Sequence, residues 1–331
     1  MIEIDRLNFK YNDSQHPILV DVNLKFKPGD FILIVGPSGS GKSTLVRTIN
    51  ALIPNFYGGR ISGSVNVQDM NVFNTPTRIM AGKVGMIFQN PENQLFMSDV
   101  ESEIAFGMEN LNFPKKIMKK RMEEILNSFG IAHLREKSIA SLSGGEKQKV
   151  AIASVIAMNP EILILDEPTA ELDPRSAEEI LNIVQKLNNE LGVTILLIEH
   201  RVDRVIQYAD RIIVIDNGKI IADTTPKICF YNGIDLENLG VTVPPVIKVF
   251  NEIRKKHPEI TARPLTVGEC RTHLQEFMEK NGTNIKIFQI CFCQCEFIMC
   301  VICCKFRSNF GAEFRTKWQP PYKKSSNGQN V

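Results

Sequence analysis

Three continuous apolar runs stand out along the chain: Phe31–Val35 (Phe-Ile-Leu-Ile-Val), Ile162–Leu165 (Ile-Leu-Ile-Leu) and Ile195–Ile198 (Ile-Leu-Leu-Ile). Strands apolar at every position belong to the buried centre of a parallel sheet, covered on both faces. The opening stretch, Met1 to Phe9, instead alternates apolar and polar residues and predicts a half-buried strand. Between these signals, residues 91–158 are more charged and read as helical. Ser98-Asp99-Val100-Glu101 has the Ser-x-x-Glu spacing of a capping box and predicts a helix start there. Pro114 opens the next helix, with Ile117, Arg121, Ile125 and Phe129 at helical spacing. Strands alternating with helices over residues 1–230 predict an α/β fold. After Ile228 the pattern weakens. Val243-Pro244-Pro245-Val246 and His257-Pro258 are linker punctuation, and stretches around Val246–Lys256 and Val267–Lys280 predict a small helical appendage within 231–283. Residues 284–331 are Cys-rich, then polar, and predict a poorly ordered tail.

Composition narrows the class. The 331 residues are 43% hydrophobic and 23% charged, as in an ordinary globular protein of one or two domains. The 39 basic and 37 acidic side chains leave a net charge of +2, which gives no support for a nucleic-acid partner. The basic run Lys115–Arg121 reads as a solvated helix face. No stretch approaches the roughly 20 apolar residues of a membrane-spanning helix. The start lacks a basic segment followed by an apolar one, so no secretory signal and a reduced cytosolic setting are expected. Of the eight cysteines, Cys229 and Cys270 stand alone, and Cys291, Cys293, Cys295, Cys300, Cys303 and Cys304 crowd together. Only Cys300 and Cys303 have Cys-x-x-Cys spacing, and no second pair completes a tetrahedral zinc set. A buried strand or an unfolded tail is the simpler reading of that segment.

Three motifs carry chemistry. Gly36-Pro37-Ser38-Gly39-Ser40-Gly41-Lys42-Ser43-Thr44 follows an apolar strand and leads into Leu45, Ile49 and Leu52 at helical spacing. This is the phosphate-loop pattern, whose glycines let successive N–H groups face phosphate oxygens at a helix N-terminus. Lys42 is expected to reach the β- and γ-phosphates, and Ser43 to supply a hydroxyl to Mg²⁺. The run Ile162–Leu165 ends in Asp166-Glu167, two carboxylates at the carboxyl edge of a buried strand, where parallel sheets place ligands. Asp166 suits Mg²⁺ and Glu167 suits an attacking water. Leu142-Ser143-Gly144-Gly145-Glu146 is a second turn of open N–H groups before a helix. One phosphate loop does not need a second cradle, so this one is expected to contact a nucleotide held by another subunit.

In these motifs the chain resembles the ATP-binding cassette ATPases over residues 1–230. The order is the family's: phosphate loop, Gln89, Leu142–Glu146, Asp166-Glu167, Leu172-Asp173 and His200. The resemblance implies a phosphate-loop cassette with a mainly parallel sheet core, an antiparallel N-terminal β region and a helical subdomain over about 91–158. It implies ATP and Mg²⁺ as ligands, with Ser43, Gln89 and Asp166 toward the metal and Lys42, Gln89, Glu167 and His200 in catalysis. Tyr11 is similar to the aromatic that stacks on adenine, or is a strand-edge tyrosine. Gln89 is similar to the residue that senses the membrane partner, or is a polar loop residue. Asp173 is similar to the residue of the loop that communicates between the two nucleotide sites, or is a helix cap. His200 is similar to the γ-phosphate switch, or is structural. Glu146 departs from the usual glutamine. A carboxylate there is expected to point away from phosphate or to pair with Lys147 or Lys149. Glu171 also departs, standing where a small residue is frequent.

A narrower resemblance lies in Phe88–Phe96, Glu101–Asn110 and Ile198–Asp203, which are similar to the energy-coupling-factor branch. That resemblance implies a peripheral subunit on the cytoplasmic face of the cell membrane. It would work with a second cassette, a transmembrane coupling protein and a small substrate-binding membrane protein, taking up a vitamin or transition-metal ion. Val243–Glu276 is similar to the region joining two cassettes in fused members, and the abrupt change to a Cys-rich composition from about Asn284 makes a truncation or an altered reading frame before a second cassette a further expectation. The alternatives are a soluble cassette acting in translation and a catalytically weakened regulatory cassette. The compact interval between phosphate loop and signature leaves no room for the coiled coil of repair and chromosome cassettes.

Overall fold

The computed structural model describes residues 2–232 and 234–280. The cysteine cluster 291–304 and the tail after it lie outside the described residues. The first compact unit extends to Cys270, and the second begins at Arg271.

Among the described residues ten strands form two sheets, all in the first unit. They are β1 (Ile2–Tyr11), β2 (Leu19–Phe26), β3 (Phe31–Val35), β4 (Gly59–Val67), β5 (Met70–Asn71), β6 (Val84–Ile87), β7 (Ile162–Asp166), β8 (Thr194–Ile198), β9 (Arg211–Asp216) and β10 (Lys219–Thr224). One sheet has the order β2-β1-β4-β5 and is antiparallel throughout. The other has the order β10-β9-β3-β8-β7-β6. It is parallel from β9 to β6, with only β10 antiparallel. Helices of at least eight residues before residue 200 are numbered α1 (Lys42–Ile49), α2 (Val100–Asn110), α3 (Lys115–Ser128), α4 (Gly144–Ala157) and α5 (Pro174–Leu191).

Strand alternation divides the core in two. Phe31, Leu33 and Val35 of β3 share one cluster with Leu163, Leu165, Ile195 and Leu197, and with apolar residues of α2, α3, α4 and α5. Ile32 and Ile34 face the other way. They join Ile164, Leu196, Leu45, Val46 and Ile49, and the inward faces of β1, β2 and β4. The parallel sheet is therefore the middle layer, which is why its central strands are apolar at every position.

One detail corrects the sequence reading. Helix α2 starts at Val100 with Asp99 as its cap, not Ser98; the Asp99 carboxylate accepts from the Ser102 N–H at 2.8 Å. The Glu101 carboxylate is drawn instead into a bidentate pair with Arg135, at 2.6 and 2.8 Å. Residues 231–270 continue the first compact unit: Leu236, Val241, Ile247 and Leu265 join the first core cluster, and the Tyr231 hydroxyl donates to the Pro264 carbonyl at 2.6 Å.

Candidate functional site

Parallel register places four loops at one edge of the middle sheet. Ile87 pairs with Leu165, so Gln89 and Glu167 each stand two residues beyond aligned positions. Asp166 pairs with Ile198, which brings Glu167 level with Glu199 and next to His200. Ile34 pairs with Ile198, so the loop after β3 opens at the same edge.

That loop, Gly36–Gly41, wraps tightly. A Cβ on Gly36 would lie 2.0 Å from the Ile215 carbonyl oxygen, and one on Gly41, at φ +106°, 2.8 Å from that of Ile18. Only glycine fits either position. Lys42 begins α1 and is 6% exposed. Its ammonium donates to the Gly36 carbonyl at 2.9 Å and the Pro37 carbonyl at 2.8 Å, so it lies across the loop. Burial lowers its pKa, against the raising charges of Glu167 and Asp166. The buried Ser40 hydroxyl has no hydrogen-bond partner among the described residues. Ser43 donates to Asp166 at 3.0 Å. Burial pushes the Asp166 carboxyl up from its ordinary value, with the Ser43 hydrogen bond opposing. Tyr11 closes β1, half buried; its hydroxyl lies 3.1 Å from that of Thr44 and its ring packs edge-on against Phe9 at 4.7 Å. Ser38 and Gly39 complete the loop, with φ +78° at Gly39.

Glu167 is the hub. Its backbone is left-handed, at φ +53°, a strained turn for a residue with a Cβ. The turn presents both carboxylate oxygens: Oε1 lies 2.8 Å from His200 Nε2, and Oε2 accepts from the Gln89 amide at 3.1 Å.

Leu142–Glu146 is elsewhere. Leu142 is buried, whereas Ser143 is exposed and caps α4. Among the described residues no hydrogen bond or ion pair joins this turn to Gly36–Thr44. A Cβ on Gly145 would lie 2.8 Å from the Ser176 hydroxyl, so the turn packs close against α5. Asp173 is the cap of α5; it accepts from the N–H groups of Arg175 and Ser176 at 3.0 and 3.1 Å. Of the two alternatives for Glu146, the lysine pairing is the one the structure does not show: Lys147 bridges to Glu92 and Lys149 to Glu179. The Glu146 carboxylate turns back to accept from the Ser143 N–H and hydroxyl, both at 2.8 Å, completing a capping box. Those bonds hold its pKa below the usual carboxylate range.

The profile of the ABC transporter family matches residues 19–170. An ABC transporter ATP-binding protein of Pyrococcus abyssi is 42% identical over 256 residues, which cover 77% of this chain and 91% of that relative. The chain belongs to the ABC transporter ATP-binding proteins, a family of ATPases. An ABC relative from Methanosarcina acetivorans is 41% identical over 275 residues, and there the chain spans 43% of the relative's length. Among solved structures, cbiO1 of Clostridium perfringens, part of the ABC transporter complex cbiONQ, superposes with a TM-score of 0.64 at 32% identity. The superposition covers 75% of this chain and 98% of cbiO1. A dimeric cassette in a post-hydrolysis state with ADP and Pi bound superposes at 0.59 with 28% identity, covering 68% of this chain and 99% of that one.

Two buried carboxylates of this ABC cassette lie in segments that carry the narrower resemblance, without a role assigned to either from sequence. Glu103, 4% exposed, accepts from the N–H groups of Phe96 and Met97 at 3.0 and 2.9 Å, holding the segment that follows Gln89. Glu199, also 4% exposed, anchors the His200 turn. An acid ending an apolar strand was the available signal for Glu199. Glu103 had none, because its partners lie in a loop before its helix.

Proposed function

We propose that this chain is the ATP-hydrolysing subunit of an importer of the energy-coupling-factor type, bound peripherally at the cytoplasmic face of the cell membrane. The observation that carries the reading is the division of the site: one edge of the sheet gathers Lys42, Ser43, Asp166, Glu167, Gln89 and His200, while among the described residues no hydrogen bond or ion pair links the exposed Ser143 turn to the Gly36–Thr44 loop. Such halves complete each other only between two cassettes. The post-hydrolysis dimer among the similar structures supports the same arrangement.

The donor set suits the expected ligands. Glycines 36 and 41 leave room only for backbone, the Ser40 hydroxyl is unpartnered, and the Ser43 hydroxyl with the Asp166 carboxylate is a hard-oxygen pair of the kind Mg²⁺ takes. Bound Mg²⁺ would neutralise charge developing on the phosphates. The chain's own groups do the rest. Lys42 exchanges its two carbonyl partners for phosphate oxygens, and loop N–H groups line the phosphates. Gln89 and His200 release Glu167, which orients the water, and His200 then meets the γ-phosphate. Tyr11 stacks on the base, and Ser143 and Gly145 of the facing cassette close the site, with Asp173 beside them.

Seven residues after Gln89, Phe96 is 63% exposed and packs edge-on against Phe106 at 4.7 Å, its N–H held by the Glu103 carboxylate. This apolar surface would receive a helix of the transmembrane coupling protein, which serves a substrate-binding membrane protein for a vitamin or transition-metal ion. The complex membership of cbiO1 supports this assignment. Among the described residues no helix is long and apolar enough to cross a membrane. Glu167→Gln should bind ATP, turn over very slowly and elute as a dimer in gel filtration with ATP and Mg²⁺. A variant that stays monomeric under those conditions refutes the two-cassette site.

A further inference from the structure

Glu199 follows β8 directly, and both its carboxylate oxygens are engaged in the interior. Oε2 accepts from the Thr169 hydroxyl at 2.6 Å, and Oε1 from the N–H groups of His200 at 2.9 Å and Arg201 at 3.2 Å. Thr169 is itself 3% exposed. A carboxylate this deep is tolerated because three donors converge on it. The partners matter more than the burial. Thr169 stands two residues after Glu167, and His200 one residue after Glu199. Two side-chain links, Glu167–His200 and Thr169–Glu199, therefore join the same two loops. One link would let His200 pivot; two links a rung apart fix both its distance and its tilt.

We propose that Glu199 is a positioning residue for ATP hydrolysis. It sets the His200 backbone, which carries the imidazole to Glu167 in the free chain and toward the γ-phosphate once Glu167 is released, and ties that backbone through Thr169 to the loop ending at Asp173. The proposal rests on Glu167 and His200 being the hydrolytic pair. The loop itself is a hydrogen-bonded unit: the Ala170 N–H donates to the Glu167 carbonyl and the Leu172 N–H to the Thr169 carbonyl, each at 3.2 Å, before Asp173 caps α5. A shift at Asp173 reaches Thr169 through this turn, and His200 through Glu199.

The test uses the full chain, with steady-state ATP turnover, affinity and stoichiometry for a methylanthraniloyl-ATP probe, and thermal unfolding. Thr169→Val removes one link and should lower kcat about 10-fold, with probe affinity and stoichiometry unchanged. Thr169→Ser keeps the hydroxyl and should keep kcat. Glu199→Gln can still accept from His200 and donate to Thr169, and should stay within about threefold of the parent. His200→Ala is run in parallel and should lose turnover. Wild-type kcat in Thr169→Val with lost turnover in His200→Ala overturns the role of Glu199 alone; so does a fall in kcat that follows probe stoichiometry, which marks misfolding. Undiminished turnover in His200→Ala overturns the hydrolytic pair and this proposal with it.

Discussion

Replacing Glu146 by Gln should move two properties of the cassette in opposite directions. In the free chain the Glu146 carboxylate takes the Ser143 N–H and hydroxyl at 2.8 Å, with Gly144 and Gly145 in the same first turn. A carboxylate at this position favours the helix twice, by closing the capping box and by facing the positive end of the helix dipole. Losing that charge should destabilise the fold by about 0.5–1 kcal/mol, toward the lower figure because the side chain is partly exposed. In the proposed two-cassette site the same charge would oppose a γ-phosphate arriving from the facing cassette. Two unit charges about 5 Å apart in water repel by about 1 kcal/mol, about fivefold in an equilibrium constant. The Gln variant should therefore unfold more easily and dimerise about fivefold more tightly with ATP.

Acid supplies an internal check. The folded pKa of Glu146 is depressed, so its stabilisation is present above the unfolded carboxylate value of about 4.3 and lost as pH falls through the lower folded value. The stability gap between parent and variant should close over that interval. Both arms can be read on a Glu167→Gln background, by thermal unfolding against pH and by light scattering against ATP concentration. A variant that unfolds no more easily than its parent, or dimerises more weakly, refutes the view that one carboxylate serves the helix at the expense of the interface.

Other consequences follow from the same site. Lys42→Ala should cost at least about 10-fold in nucleotide affinity, measured by fluorescence titration, because one buried cation serves the whole loop. Asp166→Asn should raise the unfolding temperature of the nucleotide-free chain while abolishing Mg²⁺-dependent turnover. Burial raises the folded pKa of Asp166, so its favourable contribution is complete below the unfolded value and is lost as pH rises through the folded one; at neutral pH the ionised group costs stability. Phe96→Ser should leave ATP affinity unchanged and abolish co-purification with membrane partners, since the residue is 63% exposed in the segment that follows Gln89. Equal recovery of partners would remove Phe96 from that surface.

Much of the arrangement was legible because it is local. An all-apolar strand leading into a glycine-rich turn and a helix can be read from consecutive residues, and so can Asp166-Glu167 at the end of another. Strand order is not local. Nothing in the chain announces that β8 lies between β3 and β7, yet that placement sets His200 beside Glu167 and Glu199 beside Thr169. Buried acids such as Glu103 look like any helix-surface glutamate until their backbone partners are in place.

The two Ser-x-x-Glu segments show how neighbours decide between equal local signals. At Ser98–Glu101 the spacing predicts a capping box that does not form. Asp99, a charged acceptor one residue later, takes the cap, and Arg135 draws Glu101 into two hydrogen bonds. At Ser143–Glu146, where the spacing was read as a phosphate cradle, the box forms. The two residues between are glycines, and the lysines that could have drawn Glu146 away are held by Glu92 and Glu179. A short motif thus names a set of competing hydrogen bonds, and charged partners distant in sequence choose among them. In the Leu142–Glu146 turn that choice leaves a carboxylate on the Ser143 donors, so the proposed closure of two cassettes predicts that Glu146 is displaced from Ser143.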